Sequence, residues 1–212
     1  MMSRSLRIVV ADDEPRMRDW FRKILPLLGH EVVAAAMTGK ELVEHCRTLK
    51  PDLIITDIKM PDMDGIDAAI QMYKVKTVPV ILVSAYHDPE LIARAEADHI
   101  FGYLVKPIKQ ADLEPVIGLA MRRFEQFEAL RQEAADLRQA LEDRKIIERA
   151  KGILMKKTGL DEHEAFRRLQ KMACDRSRKL IDMAQTILVA EEAFQLPEKS
   201  SSTIHPTSSV FD

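Results

Sequence analysis

Short apolar runs alternate with segments of helical periodicity over the first half of the chain. The runs that read as strands lie at residues 6–11, 31–36, 52–57, 78–85 and 100–106. Helical patterns lie between them, at residues 14–29, 39–49, 65–74 and 88–97. Strands that are apolar on consecutive residues are typical of a sheet covered on both faces, and the intervening helices supply that cover. The pattern predicts an α/β fold with a doubly wound, five-stranded parallel sheet.

The pattern becomes purely helical after Lys109. A long helix begins there and carries apolar residues spaced three and four apart, which is the repeat of a coiled-coil seam. The seam positions are Phe127, Leu130, Ala134, Leu137 and Leu141. The alternative for so short a seam is a helix that packs against its own domain.

Three more apolar stripes at helical spacing follow and predict a small all-α, three-helix bundle. Gly159 ends the first stripe, Asp161 and Glu164 form a capping-box pattern before the second, and Ser177 is the expected cap of the third. Phe166 lies on the second stripe, so we expect it in the core. The Ser/Thr/Pro-rich end of the chain is predicted to be disordered.

These patterns divide the chain into four regions. We predict an α/β domain at residues 1–122, a coiled-coil linker helix at 123–143, a helical domain at 144–196 and a disordered tail at 197–212. No apolar stretch has the length of a membrane-spanning helix or of a secretory signal, so we expect a cytoplasmic protein without membrane contact. Two isolated cysteines, Cys46 and Cys174, are expected to be buried small hydrophobes.

Basic charge is concentrated in one part of the chain. Residues 1–125 carry 17 Lys/Arg against 19 Asp/Glu, whereas residues 144–180 carry 12 against 5, a net charge of +7. Such a run of basic residues is more often a solvent-exposed helix face. The functional alternative is that this segment binds a polyanion.

Polar side chains stand where four of the predicted strands end: Asp12 and Asp13, then Asp57, Ser84 and Lys106. Because ligands gather at the carboxyl ends of parallel strands, we expect these groups to meet at one rim of the sheet. Clustered carboxylates repel one another unless a cation lies among them, and Mg²⁺ is a hard ion that oxygen ligands satisfy. With a lysine and a hydroxyl beside them, the set suits phosphoryl transfer onto Asp57.

Other site chemistries fit the sequence less well. The segment "MPDMDG" departs from a calcium loop, since Met60 and Gln71 occupy positions where Asp and Glu belong. Asp62 and Asp64 are instead expected in a turn and at a helix N-cap. The six histidines are scattered without a nucleophile or a metal-ligand spacing, so we do not expect an independent enzyme.

The segments "VVADDEP", "DLIITDIKMPDMDG", "VILVSA" and "GYLVKP" resemble the motifs of the response-regulator receiver family, which has a flavodoxin-like fold. The resemblance implies that Asp57 accepts a phosphoryl group from a histidine kinase. It implies a Mg²⁺ site of Asp12, Asp13, Asp57 and the backbone carbonyl of Lys59, in which Asp12 acts through a bound water. It also implies a charge partner at Lys106, a switch pair at Ser84 and Tyr103, and a cis bond before Pro107.

The segments "ERAKGILM", "EAFRRLQ" and "SRKLIDMA" resemble the ANTAR domain of transcription antitermination regulators, across residues 144–188. That resemblance implies a three-helix module that binds RNA hairpins in nascent leader transcripts. The expected RNA-binding residues are Lys151, Lys156, Arg168, Arg176, Arg178 and Lys179. Two alternatives stay open, a DNA-binding output and a protein-protein adaptor.

The seam suggests how the two halves communicate. We expect phosphorylation to favour a parallel homodimer through the linker helix, which would place two RNA-binding modules side by side. Two linked modules on one transcript gain effective concentration without a new contact.

Overall fold

The computed structural model describes residues 5–74, 77–85 and 100–195. The strands are β1 (Arg7–Ala11), β2 (Glu31–Ala36), β3 (Leu53–Asp57), β4 (Val80–Ser84) and β5 (Ile100–Val105). The helices are α1 (Pro15–Leu27), α2 (Gly39–Leu49), α3 (Gly65–Tyr73), α4 (Gln110–Thr158), α5 (Glu162–Asp175) and α6 (Leu180–Gln195). The helix predicted at residues 88–97 and the tail predicted from residue 197 lie outside the described residues.

The five strands form one parallel sheet in the order β2-β1-β3-β4-β5. Alternate residues of β1 point to opposite faces: Ile8 and Val10 join a core with α1 and α4, and Val9 joins a core with α2 and α3. Both faces are therefore covered by helices. This arrangement confirms the predicted α/β, doubly wound, five-stranded parallel fold.

Local sequence explains where several helices begin and end. Thr38 caps α2 and Asp64 caps α3 through their side chains, as expected for Asp64. The capping box of Asp161 and Glu164 at the start of α5 is confirmed. Gly29 adopts a positive φ of 86° just after α1, as glycine at a helix C-terminus can.

Ser177 ends one helix and does not begin the next. Its φ is +50°, its N–H donates to the Cys174 carbonyl, and the N–H of Arg178 donates to the Ala173 carbonyl. This pair of hydrogen bonds is the Schellman arrangement that closes α5. The prediction that Ser177 caps the third helix is therefore wrong, because α6 begins three residues later, at Leu180.

The chain divides into two compact units between Arg131 and Gln132, and α4 is continuous from Gln110 to Thr158. In the first unit, Phe127 packs against the core of the α/β domain, with its ring 5.7 Å from that of Phe101. Phe127 is therefore not free to join a coiled-coil seam, because it packs against the domain from which α4 begins. The later leucines are exposed at 66% for Leu130, 61% for Leu137 and 59% for Leu141.

The second unit has a small helical core, which consists of Ala150, Leu169, Ala173, Met183 and Ala184. Phe166 is only half-buried and does not belong to this cluster. The prediction that it lies in the core is therefore wrong. Cys174 is exposed, which corrects the expectation of a buried thiol there.

Among the described residues, none of the helices combines the length and the apolar character needed to cross a membrane.

Candidate functional site

Three carboxylates meet at the carboxyl end of the sheet. Asp12 and Asp13 follow β1, and Asp57 is the last residue of the neighbouring strand β3. One oxygen from each of the three lies within 4.8 Å of the other two. Asp12 is fully buried and Asp57 is 8% exposed, so water screens their mutual repulsion poorly.

Lys106 reaches this cluster from the end of β5. Its Nζ donates to Asp57 Oδ2 at 2.9 Å and lies 2.9 Å from Asp12 Oδ2. The latter pair is a charge contact only, because Asp12 Oδ2 takes part in no well-oriented hydrogen bond within the described residues. One ammonium against three carboxylates leaves negative charge, and the buried Asp12 oxygen lacks a full partner. These oxygens therefore fit a hard divalent cation such as Mg²⁺.

Burial raises the pKa of Asp57, and the hydrogen bond from Lys106 opposes that rise. Burial alone would lower the pKa of Lys106, but its contacts with the carboxylates of Asp12 and Asp57 together outweigh burial and raise it. Lys106 is therefore held in its charged form. Asp57 is a carboxylate whose charge is costly, which favours its pairing with additional positive charge.

Arg18 organises the loop that carries the first two carboxylates. Its Nη1 donates to the carbonyl of Asp12 at 2.6 Å and to the carbonyl of Asp13 at 3.0 Å. The N–H of Glu14 donates to Asp12 Oδ1 at 2.9 Å, which orients that carboxylate. The sequence analysis missed Arg18, because an arginine on the first helix has no local signal that separates it from a surface charge.

Backbone packing fixes Asp57 from the other side. The N–H of Gly65 donates to the carbonyl of Ile58 at 2.8 Å. A Cβ on Gly65 would lie 2.1 Å from the Asp57 carbonyl oxygen, so only glycine fits there. Thr56 Oγ1 donates to the same carbonyl at 3.0 Å.

The remaining residues predicted for this site lie on β4 and β5 or in the segments that follow β3 and β5. Ser84 is buried at the end of β4, and its carbonyl accepts from the N–H of Lys106 at 2.8 Å. Tyr103 is a half-buried residue of β5, and Lys59 lies exposed two residues after Asp57. The peptide bond between Lys106 and Pro107 is cis, as predicted. Asp62 lies in the turn before α3, with a φ of 67°.

The six predicted RNA-binding residues fall into two environments. Five are exposed, namely Lys156, Arg168, Arg176, Arg178 and Lys179. Lys151 is buried, with its Nζ 2.5 Å from Glu148 Oε2 and 2.8 Å from Glu162 Oε1. Its hydrogen bonds to Glu148 and Glu162 raise the pKa of Lys151. A cation enclosed in this way is poorly placed to contact a phosphate.

Comparison with known proteins agrees with this arrangement. Residues 8–117 match the response regulator receiver domain, and residues 135–188 match the ANTAR domain. The chain belongs to the response regulators of two-component systems: it is a phosphorylation-controlled transcription regulator with an RNA-binding output. Both matched families are regulatory domains and not classical enzymes.

One relative covers both halves of the chain. The transcriptional regulatory protein PdtaR of Mycobacterium tuberculosis is 40% identical over 182 residues, which are 86% of this chain and 89% of PdtaR. The chemotaxis protein CheY of Thermotoga maritima is 34% identical over 104 residues, 49% of this chain and 87% of CheY. Among solved structures, the receiver domain of NarL from Mycobacterium tuberculosis has a TM-score of 0.52 and 28% identity, and covers 56% of this chain and 98% of that one.

Proposed function

We propose that Asp57 accepts a phosphoryl group from a sensor histidine kinase, and that this controls RNA binding by the helical domain. One observation carries the proposal: carboxylate oxygens of Asp12, Asp13 and Asp57 lie within 4.8 Å of one another, and Lys106 donates a hydrogen bond to Asp57. Mg²⁺ would be held by these three carboxylates and the Lys59 backbone carbonyl. When bound, it supplies positive charge that stabilises the phosphoryl oxygens during transfer.

The residues of the chain perform the rest of the transfer. An Asp57 oxygen forms a bond to phosphorus while the bond from phosphorus to the kinase imidazole nitrogen breaks and returns its electron pair to the imidazole. Lys106 Nζ, now 2.9 Å from Asp57 Oδ2, pairs with a phosphoryl oxygen on the product. The Ser84 hydroxyl donates a hydrogen bond to a second phosphoryl oxygen, and the Tyr103 side chain follows the movement of Ser84.

The metal part of the proposal has its own test. Titration of Mg²⁺ into the unphosphorylated protein by calorimetry should give one site, weakened at least tenfold in an Asp13→Asn variant. Asp52, a carboxylate at the opposite end of the same sheet, serves as the control in an Asp52→Asn variant. Equal affinity in all three proteins would refute the site.

For the output, we propose that the five exposed basic residues contact RNA phosphates and that the bound RNA is a hairpin of a leader transcript, so that binding promotes antitermination. Lys151 is assigned a structural part in this proposal because it is enclosed by two carboxylates. Phosphate contacts make the affinity fall with salt.

An electrophoretic shift assay tests the output. Leader RNA hairpins and duplex DNA are compared at matched salt, with phosphorylated and unphosphorylated protein. We expect a shift of RNA that is stronger after phosphorylation. A shift of DNA alone would indicate a DNA-binding output, and no shift of either would indicate a protein-protein adaptor.

We further propose the region boundaries 1–122, 123–143, 144–196 and 197–212, cytoplasmic localisation, and a homodimer through the linker helix on phosphorylation. Three exposed leucines at seam positions, Leu130, Leu137 and Leu141, support the dimer.

A further inference from the structure

Helices α4 and α5 border a shallow, open pocket of about 370 Å³ in the second unit. It is lined by Glu148, Lys151, Glu162, His163 and Phe166. The pocket lies beside the helical core, since Ala165 and Leu169, the neighbours of Phe166 on α5, are fully buried. Its volume is at the lower end of the range of small-molecule sites, and a single planar ring is small enough to enter it.

Phe166 gives the pocket an aromatic wall. The ring is half-buried and stands outside the apolar cluster that its sequence pattern predicts for it. Between residues 144 and 194 the sequence has one other aromatic residue, Phe194, which is exposed near the end of α6. A half-exposed ring in a concavity offers one face for stacking, and nucleobases stack on such faces whatever their sequence.

The polar wall of the pocket presents carboxylates. Lys151 lies between Glu148 and Glu162, and the hydrogen bond from Lys151 lowers the pKa of Glu162, so this carboxylate is ionised. The side chains of Glu148 and Glu162 are more than half exposed. A carboxylate has about four acceptor positions, so binding one ammonium leaves capacity for a donor from outside.

The charges indicate which kind of group enters. Two carboxylates against one ammonium disfavour a phosphate and favour a neutral ring that carries N–H donors. A cationic side chain from a protein would also suit the carboxylates, but the surrounding segment, residues 144–180, has a net charge of +7 and repels such a partner. The same charge attracts a polyanion, and RNA combines an anionic backbone with neutral bases that bear amino groups.

We propose that this pocket receives one unpaired nucleobase of the bound RNA. The base stacks on Phe166 and its exocyclic amino group donates to Glu162 or Glu148. Lys151 is a positioning residue that pairs with both carboxylates and ties α4 to α5. This inference rests on the proposed RNA-binding function and adds a residue-level source of sequence preference to it.

The helix geometry also orders the nearby basic residues. At about 100° per residue, Arg167 lies about 100° around α5 from Phe166, whereas Lys171 lies about 140° away and Arg168 about 160° away in the other direction. Arg167 is oriented by a hydrogen bond from its Nε to His163 Nε2 at 2.9 Å. Of these three residues, Arg167 lies nearest to the pocket and is held to its lining residue His163, so it can contact an adjoining phosphate.

The test uses the full chain and a pool of RNA hairpins with a constant stem and a randomised loop. A hairpin selected by the wild type is then titrated by fluorescence anisotropy against Phe166→Leu, with Phe194→Leu as the matched control. We expect Phe166→Leu to weaken binding roughly five- to 150-fold, since stacking contributes about 1–3 kcal/mol per base. The salt dependence should not change, because no phosphate contact is removed.

Removal of single bases from the loop identifies the partner of Phe166. At one loop position, an abasic substitution should weaken binding to the wild type and have no further effect on Phe166→Leu. Equal affinities of Phe166→Leu and Phe194→Leu, or no such loop position, would overturn the proposal. If the wild type selects no hairpin at all, the proposed RNA-binding function itself fails.

A second variant covers the case in which Phe166→Leu does not fold, as judged by circular dichroism. The wild type should prefer the selected base over an analogue that lacks the amino group, and Glu162→Gln should reduce that preference severalfold. An unchanged preference in Glu162→Gln and in Glu148→Gln would overturn the pocket assignment.

Discussion

His30 is a buried imidazole whose charge state depends on its surroundings. It is 5% exposed, and its Nδ1 accepts a hydrogen bond from the N–H of Leu6 at 3.3 Å. Burial lowers the pKa of His30, and the nearby Glu114 opposes that effect. Below the ordinary value of about 6.5, the unfolded chain therefore binds a proton that the folded chain does not.

We predict that the α/β domain loses stability as the pH falls below about 6.5, and that His30→Gln reduces this loss. Urea unfolding at pH 7.5 and 5.5 can be followed by the fluorescence of Trp20, the one tryptophan, which packs against the same core as Leu6. The control is His45→Gln, a half-exposed histidine on α2, which should retain the wild-type pH dependence. The same pH dependence in wild type and His30→Gln would contradict the prediction.

Gly65 is the residue where a single methyl group should damage the acidic site. Since a Cβ there would lie 2.1 Å from the Asp57 carbonyl, Gly65→Ala must displace the strand end that carries the carboxylate. We expect a loss of about 1–3 kcal/mol in the free energy of unfolding and slower phosphorylation of Asp57. Chemical denaturation and a phosphorylation time course measure the two effects.

Gly118 offers the matched control for that substitution. It lies within α4 and a Cβ there would have no atom within 4 Å, so Gly118→Ala should stabilise the protein by up to about 1 kcal/mol. If Gly65→Ala behaved like Gly118→Ala, the close packing at Asp57 would not be important for the site.

At the scale of elements, the end of α5 depends on a residue in an unfavourable conformation. Ser177 has a φ of +50°, which costs about 1 kcal/mol for a residue with a Cβ and nothing for glycine. We expect Ser177→Gly to stabilise the helical unit and Ser177→Ala to leave it no more stable than the wild type. Thermal unfolding followed by circular dichroism distinguishes them, and a lower melting temperature for the glycine variant would be the contrary result.

The elements also show where periodicity stops being informative. It located the helices that contain Phe127 and Phe166, because the spacing of apolar residues is set by the helix itself. It did not show that Phe127 joins the α/β core or that Phe166 borders a pocket, since those outcomes depend on which neighbour covers each face. The prediction for Ser177 failed for a related reason. Serine is a frequent N-cap residue, but the Schellman closure it takes part in depends on backbone conformation and not on the side chain.

At the scale of the whole molecule, the fold and the acidic rim were the most predictable features. Runs of buried strands fix a parallel sheet, and a parallel sheet brings residues 12, 13, 57, 84 and 106 to one edge. The distances between these side chains could not be predicted from the sequence. The role of Arg18 could not be predicted either, because its hydrogen-bond partners are backbone carbonyls. Such contacts depend on loop conformation, which side-chain type alone does not determine.

Dimerisation is the prediction that belongs to the complete chain. If the seam pairs two copies after phosphorylation, Leu137→Lys should leave the protein monomeric in sedimentation velocity with and without an acyl phosphate. Leu27→Lys, a substitution at an exposed leucine of α1 outside the seam, should dimerise like the wild type. A monomeric wild type under both conditions would rule out the coupling.

Phosphorylation of Asp57 is the claim on which the regulation depends, and intact-protein mass spectrometry tests it most directly. The protein is incubated with a small-molecule acyl phosphate and Mg²⁺, with a chelated sample and an Asp57→Asn variant in parallel. We expect the wild type with Mg²⁺ to gain the mass of one phosphoryl group, and the chelated sample and the Asp57→Asn variant to gain none. An unchanged wild-type mass, or equal modification of Asp57→Asn, would contradict it.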